Sequence, residues 1–464
     1  MGETEVAQAG GGKGLSSTSA LTLQVRFTTK QEEFSIPDFP YVVEAKIGTD
    51  GLNALVNQVL KDDGITEKDV EFDFLIGGEF LRESLEELVM RHEQFIGKDV
   101  EGVTDELKKP KIGVEEVIDV EYLERTGAPE PENVLMHDDW VSAVDVTEKW
   151  ILTGAYDGTL HLWSMKGKHR LAIPAHCAPV KAVCWVSKSE SGAGDSSTSI
   201  FASGSHDQTI KIWEWNTEDN TVSCKWICKG HKRSVDSLSS DPSGTRLASG
   251  SWDGELKIWS SSLEGLPENN KAATQSKKDE EDDEEISNSR TPLMTLGGHK
   301  ESISAVCWSD SEELMTASWD HTIKIWDIET GGMKSELVGN KAFFGMSWSP
   351  LNNMVITCAA DRHIRLYDPR STEGSLVKSM FTSHSGWIST VNWSTTNENL
   401  FISGAHDNLL KLWDRRSPRA PLYNMTGHTD KVLCSSWANP EFIMGGGTDN
   451  SLRIFRASSS SNKS

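Results

Sequence analysis

Positive charge is in short supply in this chain. Lys and Arg number 46 against 70 Asp and Glu, a net charge of −24 over 464 residues. That balance argues against broad capture of nucleic acid, which requires cationic neutralisation of phosphates. It suits metal ions or basic protein surfaces better. No run of eighteen apolar residues occurs, so no membrane-spanning helix is encoded. Residues 1–19 are polar and rich in Gly and Ser. They lack the charged-then-apolar order of a secretory signal and read as a disordered leader. Cysteine is sparse: 7 residues, with no CxxC pair and no zinc spacing. Cys224 and Cys228 are four apart, but nothing nearby completes a ligand set. The cysteines read as free thiols packed as small hydrophobes in a reducing compartment. A Gly-rich phosphate loop, an isolated nucleophile and a metal-ligand cluster are also missing, which leaves an enzymatic reading without support and calls for no cofactor of the chain's own.

What the chain does have is a period. Seven times an Asp is followed six residues later by an aromatic: Asp157/Trp163, Asp207/Trp213, Asp253/Trp259, Asp320/Trp326, Asp361/Tyr367, Asp407/Trp413 and Asp449/Phe455. In one unit, Ser234–Leu238, Arg246–Ser251 and Glu255–Trp259 carry alternating apolar side chains, separated by Asp-Pro-Ser-Gly and Asp-Gly turn signals. The stretch 292–296 leaves room for a fourth strand. Each unit is a small antiparallel sheet that cannot bury both faces alone, so neighbours must cover it, which favours a ring.

These units resemble the WD-repeat propeller family. His137, His176, His231, His299, His384 and His428 open six of them, and Asn340 stands in the fifth. From that residue to the Asp is 20 to 23 positions, except for 31 in the second unit, where 187–199 is a polar loop. A hydroxyl precedes the Asp by four in six units (Thr153, Ser203, Ser249, Thr316, Thr357, Ser403), and Gly445 takes the place in the seventh. The resemblance implies a buried network in each unit: the Asp accepts in its turn, the His bridges to Ser or Thr, and an indole N–H donates. His231, Ser249, Asp253 and Trp259, then His299, Thr316, Asp320 and Trp326, then His428 and Asp449 are its clearest members. A Ser-His-Asp hydrolase is set aside, because such a site is one specific geometry and not a repeated one.

Seven units make a closed seven-bladed ring over residues 126–456, with 457–464 a disordered tail. The last sheet has three strands of its own, so its outer strand is expected from before the first unit, around Pro129–Met136, leaving no open edge. Asp253 to Asp320 spans 67 positions, and the excess lies in 260–291, which holds the acidic run 279–285. Such a block is solvated and disordered. A tolerated loop insertion between the third and fourth strands of blade 3 explains it; a flexible acidic arm for basic surfaces is the functional alternative.

Residues 20–125 form a separate α+β domain, and residues 1–125 hold 13 Lys and Arg against 27 Asp and Glu, a balance of −14. Leu21, Leu23, Val25 and Phe27 alternate as a strand, and 34–47 is a second extended stretch. Leu52, Leu55, Val56, Val59 and Leu60 fall at helical spacing, with Thr49 or Asp50 as N-cap. A strand from Phe72 ends at the Gly77-Gly78 turn, a short helix starts after Ser84, and Val117–Tyr122 is the last strand. This order looks like a ubiquitin-like β-grasp.

The pairing of the two domains, through Phe72–Ile76, Asp119–Tyr122 and Asp138–Val141, resembles the WD-repeat ribosome-biogenesis factors that partner Pescadillo and Block of Proliferation. Notchless shares the N-terminal domain type but carries an eighth blade. The resemblance implies a nucleolar and nucleoplasmic factor of pre-60S particles, with no membrane partner and little direct nucleic-acid binding. It also implies a ubiquitin-like domain gripped by the AAA-type ATPase Midasin, in which one acidic side chain completes the coordination of a Mg²⁺ held by the ATPase. Alignment back from Asp119–Tyr122 places that role on Glu115, with Glu116 the alternative; carboxylate oxygen suits so hard an ion. Residues before each turn Asp should face the narrow end of the ring, and Tyr156, Trp252 and Trp319 are candidates there for partner binding or for packing between blades. A rival is a cullin-ligase substrate receptor, from the WDxR form of Trp413-Asp414-Arg415-Arg416. No Lys/Arg run marks nuclear import, so nuclear placement rests on the resemblance.

Overall fold

The computed structural model describes residues 22–95, 117–186, 198–263, 288–370 and 377–457. The chain divides into two compact units, Met1–Arg125 and Thr126–Ser464.

In the first unit the strands β1 (Thr22–Thr28), β2 (Tyr41–Glu44), β3 (Phe72–Ile76), β4 (Glu79–Phe80) and β5 (Ile118–Glu124) form one sheet in the order β2-β1-β5-β3-β4. β1 and β5 run parallel, and every other pair is antiparallel. Leu23, Val25 and Phe27 alternate inward from β1 and meet Leu52, Val56 and Leu60 of helix α1 (Thr49–Asp62). Three details depart from the sequence reading. The helix cap is Gly48, in extended geometry with no side-chain bond, so Thr49 and Asp50 sit in the first turn; there Asp50 complements the helix dipole. The stretch 34–47 is a strand only over Tyr41–Glu44, after a short 3-10 turn at Glu32–Phe34. Gly77 and Gly78 both take positive φ, 55° and 80°, and this hairpin turn adds the two-residue β4. Helix α2 (Leu85–Phe95) starts as expected after Ser84, whose Oγ accepts from Glu87 N at 3.4 Å while Ser84 N donates to Glu87 Oε2 at 3.3 Å, a reciprocal capping box.

The second unit is mainly β, as expected: seven sheets of four or five strands. The first strands of successive sheets pack on one another around the molecule, and that of the last sheet (Val432–Ser436) returns to that of the first (Val141–Val146). The ring therefore closes. Its fastener is a strand from the start of the unit, Glu130–Met136, which pairs antiparallel with Ser451–Arg456 as the outer strand of the seventh sheet. Its Leu135 is buried in the core shared by sheets one and seven, and Glu132 holds Arg456 at 2.9 and 3.0 Å.

Blade 3 completes itself with Met294–Gly297, two residues later than the sequence suggested. Between its third and fourth strands the chain makes an unforeseen detour. Ser289–Arg290 adds in parallel to the outer strand of blade 2 at Ile227–Cys228. The Arg290 guanidinium lies 3.9 Å from the Trp226 ring centre and donates to the Ser260 carbonyl at 2.7 Å. The acidic run 279–285, the leader 1–19 and residues 458–464 of the tail lie outside the described residues, as do 187–197 of the polar loop 187–199, whose last two residues instead open the strand Thr198–Ser205.

Candidate functional site: repeated polar networks and one aromatic face

Each blade turns its Asp back into the sheet. In blade 3, Asp253 Oδ2 sits 3.0 Å from His231 Nδ1, His231 Nε2 is 2.7 Å from Ser249 Oγ, and Trp259 Nε1 donates to the same oxygen at 2.8 Å. Blade 4 repeats this with Asp320–His299 at 2.8 Å, His299–Thr316 at 2.7 Å and Trp326–Thr316 at 2.8 Å. Blades 2 and 6 do the same through Asp207, His176, Ser203 and Trp213, and through Asp407, His384, Ser403 and Trp413. Blade 7 keeps His428–Asp449 at 2.9 Å, but with Gly445 in the hydroxyl place the other ring nitrogen meets the Gly445 carbonyl at 3.1 Å. The hydroxyls Ser203, Ser249, Thr316 and Ser403 are fully buried, so no substrate reaches them. Burial pushes the carboxyls of Asp207, Asp253, Asp320 and Asp407 up. Hydrogen bonds from the His and from neighbouring hydroxyl and backbone groups outweigh it and bring each down to about 2.

Two blades solve the problem differently. In blade 5, where Asn340 stands, Asp361 takes a two-pronged bond from Arg365 at 2.6 and 3.2 Å. A sequence signal for this went unread: four residues after every turn Asp stands a basic side chain, at 161, 211, 257, 324, 365, 411 and 453. In blade 1 that column holds His161. Asp157 bonds Thr159 at 2.6 Å, His161 Nε2 lies 3.1 Å from the Thr159 hydroxyl, and His161 Nδ1 lies 3.1 Å from His169 Nε2. His137, with Nδ1 at the Leu135 carbonyl, has its ring 4.8 Å from that of His161. Burial, then the neighbouring His161, bring His137 down to about 4.

A histidine depressed in the fold takes its proton more readily when unfolded. Its contribution to stability is complete above the unfolded value near 6.5 and is lost as the pH falls toward about 4. The unfolding free energy from urea titration should therefore drop between about pH 7 and about pH 5, by at most about 1.4 kcal/mol per pH unit from this residue. The drop should be smaller in His137→Gln, which cannot titrate; equal slopes in the two proteins would refute the assignment.

The residue before each turn Asp lies on one face for a backbone reason. Its N–H donates to the carbonyl of the loop entering the same blade: Tyr156 to Trp140, His206 to Pro179, Trp252 to Ser234, Trp319 to Ser302, Ala360 to Ala342, His406 to Trp387 and Thr448 to Lys431, all at 2.8–3.0 Å. Trp252 is 40% and Trp319 37% exposed, and both are joined by loop indoles the sequence reading passed over, Trp140 at 43% and Trp387 at 55%. The rings touch in series. Trp140–Tyr156 centroids lie 5.1 Å apart, Tyr156–His206 6.4 Å, His206–Trp252 6.5 Å, Trp252–Trp319 5.3 Å, Trp319–Phe344 6.0 Å and Phe344–Trp387 6.1 Å.

The WDxR segment is consumed internally. Asp414 is buried and bonded by Arg416 at 2.6 and 2.9 Å, while Arg415 Nε donates to Asn399 at 2.6 Å. Nothing in this arrangement favours the cullin-receptor reading. Glu115 and Glu116 lie outside the described residues, immediately before β5. Among the described residues no cluster of three or more metal-ligating side chains occurs, and none of the seven cysteines is in a disulfide.

Comparison with known proteins bears on both units. Residues 23–89 match the NLE (NUC135) domain model, 130–164 and 374–414 match the WD domain, G-beta repeat, and 171–375 match the CAF1B/HIR1 beta-propeller domain. The chain is 48% identical over 444 residues to the ribosome biogenesis protein WDR12 homolog of Anopheles gambiae, covering 96% of this chain and 97% of that protein. It is 48% identical over 436 residues to the homolog of Culex quinquefasciatus (94% and 95% covered) and 46% identical over 436 residues to that of Drosophila mojavensis (94% and 96%). Over both its units, the chain belongs to the WDR12 family of ribosome biogenesis proteins.

Proposed function

We propose that this chain is a non-enzymatic assembly factor of the large ribosomal subunit, acting in pre-rRNA processing within a complex of Pescadillo and Block of Proliferation homologues in the nucleolus and nucleoplasm. The observation that carries this reading is similarity along nearly the whole chain to proteins named for ribosome biogenesis. The polar networks support a scaffold role, since their His, Ser and Asp groups are spent on one another. In this reading the first unit is ubiquitin-like, and Midasin grips it to remove the factor from the pre-60S particle. The parallel β1/β5 pair at the centre of its sheet and the excess of carboxylates support that role. Glu115, or Glu116 beside it, completes the Mg²⁺ site of the partner ATPase; the ion belongs to the partner, and the chain supplies one hard oxygen ligand.

Affinity purification with and without residues 1–125 tests the division of labour. The propeller unit alone should recover the Pescadillo and Block of Proliferation homologues and lose Midasin. Glu115→Ala should leave the unfolding midpoint within about 0.5 kcal/mol of the parent, as a surface change does, and abolish ATPase docking. Normal docking by both Glu115→Ala and Glu116→Ala would defeat the metal-completion reading.

A further inference from the structure

We infer that Thr291 is a phosphorylation site for a proline-directed protein kinase, and that Lys229 of the neighbouring blade receives the phosphate. The inference goes beyond the scaffold reading and does not depend on it. A kinase of this class leaves the backbone N–H of the residue after its acceptor without a partner, which proline tolerates because it has no N–H. Ser-Pro or Thr-Pro occurs three times in the chain, at Thr291, Ser349 and Ser417. Folding withdraws two of them: Ser349 is 0% and Ser417 2% exposed. Thr291 is exposed, and its hydroxyl makes no hydrogen bond among the described residues.

The backbone around Thr291 suits capture by a kinase. A residue before proline is held extended, the shape in which kinases take their substrates. On its N-terminal side, Ser289–Arg290 pairs in parallel with Ile227–Cys228, and Ile227 N and Lys229 N donate to the Asn288 and Arg290 carbonyls at 2.8 and 3.0 Å. On its C-terminal side, Leu293 N donates to the Ile258 carbonyl at 2.8 Å, where the chain rejoins blade 3. Thr291 and Pro292 therefore bridge blades 2 and 3. The ladder on the blade 2 side is two residues long, so lifting it costs far less than opening a blade.

The cation that faces the acceptor is Lys229, not Arg290. Arg290 is buried, with its guanidinium on the Trp226 ring and the Ser260 carbonyl, and successive side chains of an extended chain point to opposite sides. One further step of the parallel register sets Lys229 beside Thr291. Lys229 is exposed and forms no ion pair among the described residues. Paired strands lie about 4.8 Å apart, within the reach of a lysine stem. Transfer moves the γ-phosphoryl group of ATP to Thr291 Oγ1: the new oxygen–phosphorus bond forms, the bond to ADP breaks, and the hydroxyl proton passes to the kinase's catalytic carboxylate. The product carries a charge of about −1.5 to −2 at pH 7. Beside Lys229 it adds an ion pair where the short strand ends, fastening the segment that crosses between the blades.

The test incubates the full chain with ATP and, in separate reactions, a cyclin-dependent and a mitogen-activated kinase, and locates the phosphate by mass spectrometry. Thr291 is the expected acceptor among the three, and Thr291→Val should abolish that incorporation. No phosphate at Thr291 with either kinase overturns the proposal, as does preferential incorporation at Ser349 or Ser417 of the folded chain. Phosphorus NMR of the phosphorylated chain then reads the partner. The phosphate should titrate below its usual value of about 6 and return toward it as salt rises. In Lys229→Glu it should titrate above that value. Superimposable titrations of the parent and Lys229→Glu overturn the role of Lys229.

Discussion

Trp413→Ala is expected to destabilise the protein by about 3–5 kcal/mol, the usual cost of emptying a large aromatic site in a close-packed core. Trp413 is fully buried, its ring stacks on Phe401 with planes 7° apart, and Phe381 meets it edge-on at 5.7 Å. Its indole N–H is also one of two partners of the Ser403 hydroxyl, the other being His384. Trp413→Phe separates these contributions. It keeps most of the ring volume and removes one hydrogen bond, so about 1 kcal/mol of loss is expected. Trp319→Ala, on the exposed face, should stay within about 0.5 kcal/mol of the parent. Urea unfolding of the three variants reads the series directly. A Trp319→Ala loss equal to that of Trp413→Ala would mean that the exposed indoles are part of the core.

Deletion of residues 130–136 should have a still broader effect. The strand they form closes the ring on Ser451–Arg456, and without it that strand's outward backbone groups become an open edge. Loss of Leu135 from the core between sheets one and seven alone removes roughly 1.5–3 kcal/mol of apolar burial. The open edge adds a site for pairing between molecules. The expected outcome is a lower urea midpoint together with concentration-dependent association on size exclusion. A monomeric deletion variant with an unchanged midpoint would show that the ring does not depend on its fastener.

Legibility followed repetition. The Asp, His, hydroxyl and aromatic columns could be read because each blade meets the same need, a buried turn whose polar groups must be paired, with the same residues. Where a blade departs, as with Arg365 in blade 5 or the three histidines of blade 1, the basic column that explains the substitution lies four residues past the Asp and is visible only once all seven units are set side by side. Ser289–Arg290 was out of reach for another reason. A two-residue parallel strand has no period, and its register comes from the contact of Arg290 with Trp226 and Ser260, which are distant in sequence. The Gly48 cap was masked by better capping residues at 49 and 50. In the first unit, Asn53 and Asn57 bind the backbone of Phe72 and Val70 through two bonds each, at 2.8–3.0 Å, imitating a neighbouring strand. Nothing about an Asn in a helix announces that. The exposed face was half legible: Trp252 and Trp319 stand at a repeating position, whereas Trp140 and Trp387 come from the loops entering their blades and Phe344 from the first strand of blade 5.

The fastener of the ring has a mechanical consequence. The residues that follow Arg125 lead directly into Glu130–Met136, so tension applied anywhere in the first unit enters the second at its seam. The first resistance it meets is the hydrogen bond from the Tyr423 hydroxyl to the Thr126 carbonyl, at 2.8 Å, and the next is the Glu130/Arg456 end of the paired strands, with the Glu132–Arg456 ion pair beside it. Six-residue register and one ion pair therefore set the load at which the propeller would be unbuckled instead of lifted whole.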